Sequence, residues 1–176
     1  MTICCYGDSN TFGYDPRGFL GDRYDAPWPE ALSELTGWDV LNSGSCGRRV
    51  PIHETVLPNN ADLRIVMLGT NDLLNGEEPH DIALRMERFL SQQDGDRLIL
   101  IAPPHLSRGE WVTGDGLIRR SEALAEEYRA VALRMAIPFL DAGEWNVPLC
   151  YDGVHFTEIG HRIFAEHVCA AIESAT

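Results

Sequence analysis

Lysine is absent. All 14 basic residues in the 176-residue chain are Arg, set against 27 Asp and Glu, for a formal net charge of −13. A Schiff-base enzyme, a Walker A nucleotide site and a Ser/Lys dyad each need an amine that deprotonates or sits on a phosphate, so all three are excluded. Ser, Thr, Cys, Asp, Glu, His and Tyr remain as nucleophiles. Positive charge is also too scarce for phosphate-rich partners, because a chain of this sign repels nucleic-acid backbones and anionic lipid surfaces. Small neutral substrates fit better.

Long hydrophobic runs are missing as well: no segment approaches the roughly 18 apolar residues of a membrane span. The opening Met1-Thr2-Ile3-Cys4-Cys5-Tyr6 has neither a basic nor an apolar region of the secretory kind, so a cytoplasmic protein is expected. The five cysteines (Cys4, Cys5, Cys46, Cys150 and Cys169) are odd in number and form no CxxC pair. They read as reduced thiols, and neither disulfides nor a structural metal are expected. At this length a chain buries about 70% of its unfolded surface and needs no such staple.

What is present is an alternation. With no internal repeat, low-complexity tract or linker, a single domain over residues 1–176 is expected. Short apolar runs at Thr2 to Tyr6, Trp38 to Leu41, Leu63 to Leu68, Leu98 to Ala102 and Ile137 to Leu140 alternate with stretches of helical period. This is the pattern of βαβ units in a parallel sheet. The helical stripes are Trp28, Leu32 and Leu35; Ile82, Met86, Phe89 and Leu90; Leu124, Tyr128, Val131 and Met135; and Ile159, Ile163, Phe164, Val168 and Ile172. Each set shares one face and is expected to lie on the sheet. Thr157 is placed to cap the last helix, and Pro138 to stop the one before it.

A sheet of this kind carries its functional residues in the loops after the carboxyl ends of its strands. Those loops hold Gly7-Asp8-Ser9-Asn10, Asn42-Ser43-Gly44-Ser45-Cys46-Gly47-Arg48, Gly69-Thr70-Asn71-Asp72 and Asp152-Gly153-Val154-His155. Acyl transfer needs a nucleophile, a base, a carboxylate to orient the base, and donors for the oxyanion. Ser9, His155 and Asp152 are the candidates for the first three. Asn71 and the amides of Gly44 and Ser9 are the candidate donors. Taken singly, each has a plainer explanation as a polar turn, a helix cap or an exposed His. Four such coincidences along one sheet edge, in strand order, make the joint pattern the stronger reading.

With these four blocks the chain resembles the SGNH hydrolases, also called the GDSL esterase and lipase family, named for Ser, Gly, Asn and His. Gly7-Asp8-Ser9 matches the first block, with Asn10 where the family name has Leu. Gly44 matches the second, and the Gly47-Arg48 that follows is similar to the family's small arylesterases. Gly69 to Asp72 and Asp152 to His155 complete the third and fourth. The resemblance implies a three-layer αβα fold with a five-stranded parallel, flavodoxin-like sheet. It also implies hydrolysis of carboxylic esters or thioesters without a metal or organic cofactor, and a homo-oligomer as one possible assembly. Short acyl chains such as acetyl are favoured because 176 residues leave no room for a large lid. Phe12, Tyr14, Trp111, Trp145 and Val147 are the expected pocket walls, and Pro104 to Gly116 is the expected mobile segment.

Rival readings are weaker. Cys46 has no His beside it in sequence, and His53, His80, His105, His161 and His167 show no zinc-site spacing. The G-x-S-x-G pentapeptide of the other large serine hydrolase fold is missing. A flavodoxin-like binding module holding Mg²⁺ on Asp8 and Asp72 is the alternative from a different class. Thioesterase and lysophospholipase activities are alternatives within the family.

Overall fold

The structure is a computed structural model that describes residues 1–18, 22–93 and 97–174. Five parallel strands, β1 (Thr2–Gly7), β4 (Asp39–Gly44), β5 (Leu63–Met67), β6 (Leu98–Ala102) and β7 (Phe139–Asp141), form one sheet in the order β4-β1-β5-β6-β7. Between β1 and β5 come the short helix α1 (Ser9–Phe12), a hairpin of β2 (Tyr14–Asp15) and β3 (Asp22–Arg23), and α2 (Trp28–Thr36). The short α3 (Thr70–Leu74) and the longer α4 (Pro79–Ser91) follow β5, α5 (Asp115–Met135) precedes β7, and α6 (Glu158–Ser174) ends the described chain.

Burial explains the order. Every residue of β5 and β6 is buried, as central strands covered on both faces require, whereas β4 at the edge keeps an exposed Leu41. One face packs Val66, Leu68 and Leu100 against Ile82, Met86 and Phe89 of α4 and Leu124, Tyr128 and Val131 of α5. The other packs Ile3, Ile65 and Ile101 against Trp28 and Leu32 of α2 and Phe164, Val168 and Ile172 of α6. This is the three-layer arrangement expected, and all five strands lie where apolar runs marked them.

Two stripe residues depart from it. Leu35 is 46% exposed and Ile159 is 66% exposed, and both line an open groove between α2 and α6 instead of the sheet. A period of 3.6 identifies a helix face but not how far along the helix the cover extends. Thr157 does cap α6, its Oγ1 accepting the Gly160 N–H at 3.0 Å. The helix before β7 stops at Met135, short of Pro138, where Ala136 turns left-handed with φ 53°. The hairpin has no signature in the sequence, because strands of two residues carry no period.

The strand order places β1 between β4 and β5, and those three strands carry three of the four polar loops. This is the switch point at which such sheets bind ligands. His155 arrives differently: it follows β7, three strands from β1, or about 14 Å across the sheet edge.

Candidate active site

Gly7 ends β1 and Ser9 opens α1, so the hydroxyl stands at the carboxyl edge of the sheet. A Cβ on Gly7 would stand 2.0 Å from Thr11 Oγ1, so only glycine lets α1 fold back this closely over its strand. Asp8 caps the turn, its carboxylate accepting the Asn10 N–H at 3.0 Å. That carboxylate is buried, and the loss of hydration raises its pKa to about 6, despite the Asn10 N–H and the His155 ring, which lower it.

The candidate base and its carboxylate partner come from residues 146–157. Ser9 Oγ lies 3.0 Å from His155 Nε2, and His155 Nδ1 lies 2.6 Å from Asp152 Oδ2. The other carboxylate oxygen of Asp152 accepts the N–H groups of Val154 at 2.9 Å and His155 at 3.0 Å. Burial penalises the Asp152 charge, but the His155 ring and these two N–H groups outweigh it, and the pKa falls below the usual value. A charged carboxylate on Nδ1 holds the proton there and leaves Nε2 as an acceptor facing the serine hydroxyl. The arrangement can therefore activate Ser9 and stabilise an imidazolium. Tyr14 and Trp111 enclose the imidazole, with ring centroids 4.7 and 5.3 Å from it.

A neighbouring loop is sewn onto this one. The N–H groups of Ser107, Glu110 and Trp111 donate to the carbonyls of Gly153, Tyr151 and Asp152 at 3.1, 3.0 and 3.1 Å. The expected mobile segment thus has its central part, around Gly109, tied to the loop that carries Asp152 and His155. Trp145 and Val147 are not walls of this site: Trp145 packs on Phe164 and stacks on His167, and Val147 belongs to the same core. Phe12 lies beneath the Arg23 guanidinium, 5.4 Å from ring centroid to Cζ.

Asn71 is the second residue of α3, and its Nδ2 donates one hydrogen to the Arg48 carbonyl at 3.1 Å, which leaves the second free for another acceptor. The Gly44 amide differs from its expected state: it already donates to Asn42 Oδ1 at 2.9 Å. Gly44 is glycine for a steric reason, since a Cβ there would lie 2.1 Å from the Phe12 nitrogen. Farther along the loop, Ser45 donates to Gly7 O and Arg48 to Ser45 O. Gly47, at φ 74°, has no hydrogen-bond partner for its amide among the described residues. Composition of the loop could not have separated these amides, because which one is consumed depends on the Asn42 rotamer and on pairing with β1.

In the sequence Arg48 stands out only as part of Gly47-Arg48. Its guanidinium lies 4.2 Å from the Tyr6 ring centroid and donates to Gly7 O at 2.9 Å and to Ser43 O. It thereby ties the ends of β1 and β4 while its own carbonyl holds Asn71. Asp72 turns away, accepting from Arg85 and from the Val50 N–H. Cys46 is exposed at the residue level, and partial desolvation of its sulfur raises its pKa, away from thiolate formation. Among the described residues no group of three or more His, Cys, Asp or Glu is arranged to hold a metal, and no helix is long and apolar enough to cross a membrane.

Comparison with known proteins bears on this geometry. The model of the GDSL-like lipase/acylhydrolase family matches residues 5–163. An aryl esterase from M. smegmatis superposes with a TM-score of 0.84 at 27% identity, covering 98% of both chains. A putative arylesterase from Agrobacterium tumefaciens gives 0.80 at 26% identity, again over 98% of each. A carbohydrate acetylesterase from Sinorhizobium meliloti, at 22% identity, shares the fold with a TM-score of 0.81 over 99% of both chains. The curated proteins contain no match. Matched over most of its length, the chain belongs to the GDSL-like lipase/acylhydrolase family and is a carboxylic ester hydrolase.

Proposed function

We propose that the protein cleaves esters of short acyl chains through an acyl-enzyme on Ser9. The observation that carries this reading is the buried relay from Ser9 Oγ to His155 Nε2 at 3.0 Å and from His155 Nδ1 to Asp152 at 2.6 Å. His155 takes the hydroxyl proton as Oγ attacks the ester carbonyl, and the imidazolium returns it to the departing alkoxide. Water, deprotonated by the same imidazole, then adds to the acyl group and releases the acid and Ser9. Asp152 holds the tautomer through both halves.

The oxyanion is received by the Ser9 amide and the free hydrogen of Asn71 Nδ2. The third donor expected at Gly44 is engaged by Asn42, and of the loop amides without a partner among the described residues, Cys46 and Gly47, we assign that role to Gly47, with Gly44 joining only if Asn42 releases it. Tyr14 and Trp111 flank the imidazole and the 107–111 segment is tied beside it, and with these groups close to the reacting pair the site favours acetyl over long chains. The aryl ester and acetylated carbohydrate named for the structural neighbours are the first substrates to try.

The test is hydrolysis of p-nitrophenyl acetate by the purified protein and by Ser9→Ala and His155→Ala, with a fluorophosphonate to label Ser9. Both variants should lose at least about 10³-fold in kcat, and labelling should require Ser9. Near-normal turnover by Ser9→Ala would sink the assignment.

A further inference from the structure

Asn10 stands where the family name has Leu, and its side chain crosses from the nucleophile turn to the loop that carries the base. Its Nδ2 donates to the Val154 carbonyl at 3.1 Å, and its Oδ1 accepts the Phe156 N–H at 2.9 Å. These two peptide groups flank His155 on either side. The carboxamide is buried, and the two contacts fix its orientation, since only the oxygen can accept from Phe156 and only the nitrogen can donate to Val154.

The topology gives this pair its importance. Ser9 follows β1 and His155 follows β7, with β5 and β6 between them, so no strand pairing sets their separation. The Asp152 carboxylate orients the imidazole within its own loop but does not tie that loop to Ser9. Asn10 does, through the residue adjacent to the nucleophile and the residues adjacent to the base. It acts as a one-residue strand, offering a donor and an acceptor to a backbone whose bridge to Leu149 and hydrogen bond from Cys150 stay within its own segment.

We propose that Asn10 is a positioning residue that holds His155 at hydrogen-bonding distance from Ser9. It rests on those two residues forming the reacting pair. Leu in its place offers neither hydrogen bond and frees the base loop to shift, and a displacement of about 1 Å in a proton-transfer pair costs about 10²-fold in rate. Substrate contacts are untouched, so the loss falls on kcat.

The experiment compares Asn10→Leu, Asn10→Ala and Asn10→Asp with the unaltered protein on p-nitrophenyl acetate, with rates divided by the folded fraction from circular dichroism. Asn10→Leu and Asn10→Ala should lower kcat by about 10–10²-fold with KM changed by less than about twofold, and should slow fluorophosphonate labelling by a similar factor. Ionised Asp cannot donate to Val154, whereas protonated Asp offers both a hydroxyl donor and a carbonyl acceptor. The kcat of Asn10→Asp relative to the unaltered protein should therefore rise as the pH is lowered. Unaltered kcat per folded molecule, or a loss confined to KM, overturns the proposal. A Ser9→Ala variant that keeps its activity overturns the mechanism instead, so the two failures are distinguishable.

Discussion

Gly109 and Gly153 meet backbone to backbone: a Cβ on Gly109 would stand 2.4 Å from the Gly153 nitrogen, and one on Gly153 would stand 2.1 Å from the Ser107 carbonyl oxygen. Gly153 also adopts φ 79°, which disfavours any side chain. The contact lets residues 107–111 dock on the loop holding Asp152 and His155. Gly153→Ala should destabilise the fold by about 2–4 kcal/mol, combining left-handed strain with overpacking. Gly37→Ala is the control, because Gly37 has φ 70° but open space where a Cβ would go, and it should cost only about 1–2 kcal/mol. Urea unfolding of the two variants separates the steric part from the conformational part.

Asp8 and His161 impose opposite pH dependences. The buried Asp8 carboxyl titrates near 6 in the fold, because lost hydration disfavours its charge, against an ordinary value of 3.8. The native state therefore holds a proton that the unfolded state has released, and stability falls as pH rises from 3.8 to about 6. His161, buried between Tyr24 and Phe156 and accepting the Trp28 N–H, has its pKa lowered to about 3 by lost hydration. There the unfolded state holds the extra proton, so stability rises with pH from about 3 to 6.5. Each slope is about 1.4 kcal/mol per pH unit, and they oppose one another between pH 4 and 6. Asp8→Asn keeps a capping oxygen and removes one slope. It should be about 1–3 kcal/mol more stable than the unaltered protein at pH 7, with the difference gone at pH 3, as measured by denaturant titration at both values.

Asn71 and Arg48 form one unit. Asn71→Ala should lower kcat by about 10²–10³-fold, the cost of one oxyanion donor, with little change in KM. Arg48→Lys removes the fork that reaches Gly7 and Ser43 together, and should lower kcat by about tenfold. In the double variant the Arg48 effect should shrink, since the Arg48 carbonyl then has no Asn71 side chain to position. Full additivity in steady-state kinetics would argue against the coupling.

Acyl length is the remaining prediction. Across p-nitrophenyl esters from C2 to C12, kcat/KM should be greatest at C2 to C4 and fall with each added pair of carbons. A maximum at C8 or beyond would contradict the proposed preference for short acyl chains.

Residue type, order and period along the chain determined a great deal. The absence of Lys removed amine chemistry, five apolar runs became five strands, and the polar clusters marked Ser9, Asn71, Asp152 and His155 as the groups that share a sheet edge. Those features are local or periodic, and they survive whatever the rest of the chain does. Tertiary structure alone decided that the Gly44 amide is spent on Asn42, that Trp145 and Val147 enter the core, and that Leu35 and Ile159 stay open to solvent. It also decided that Asn10 spans to Val154 and Phe156. Each of these depends on partners brought together by the path of the chain across the sheet, and spacing in sequence carries no record of which hydrogen-bonding groups that path leaves unpaired.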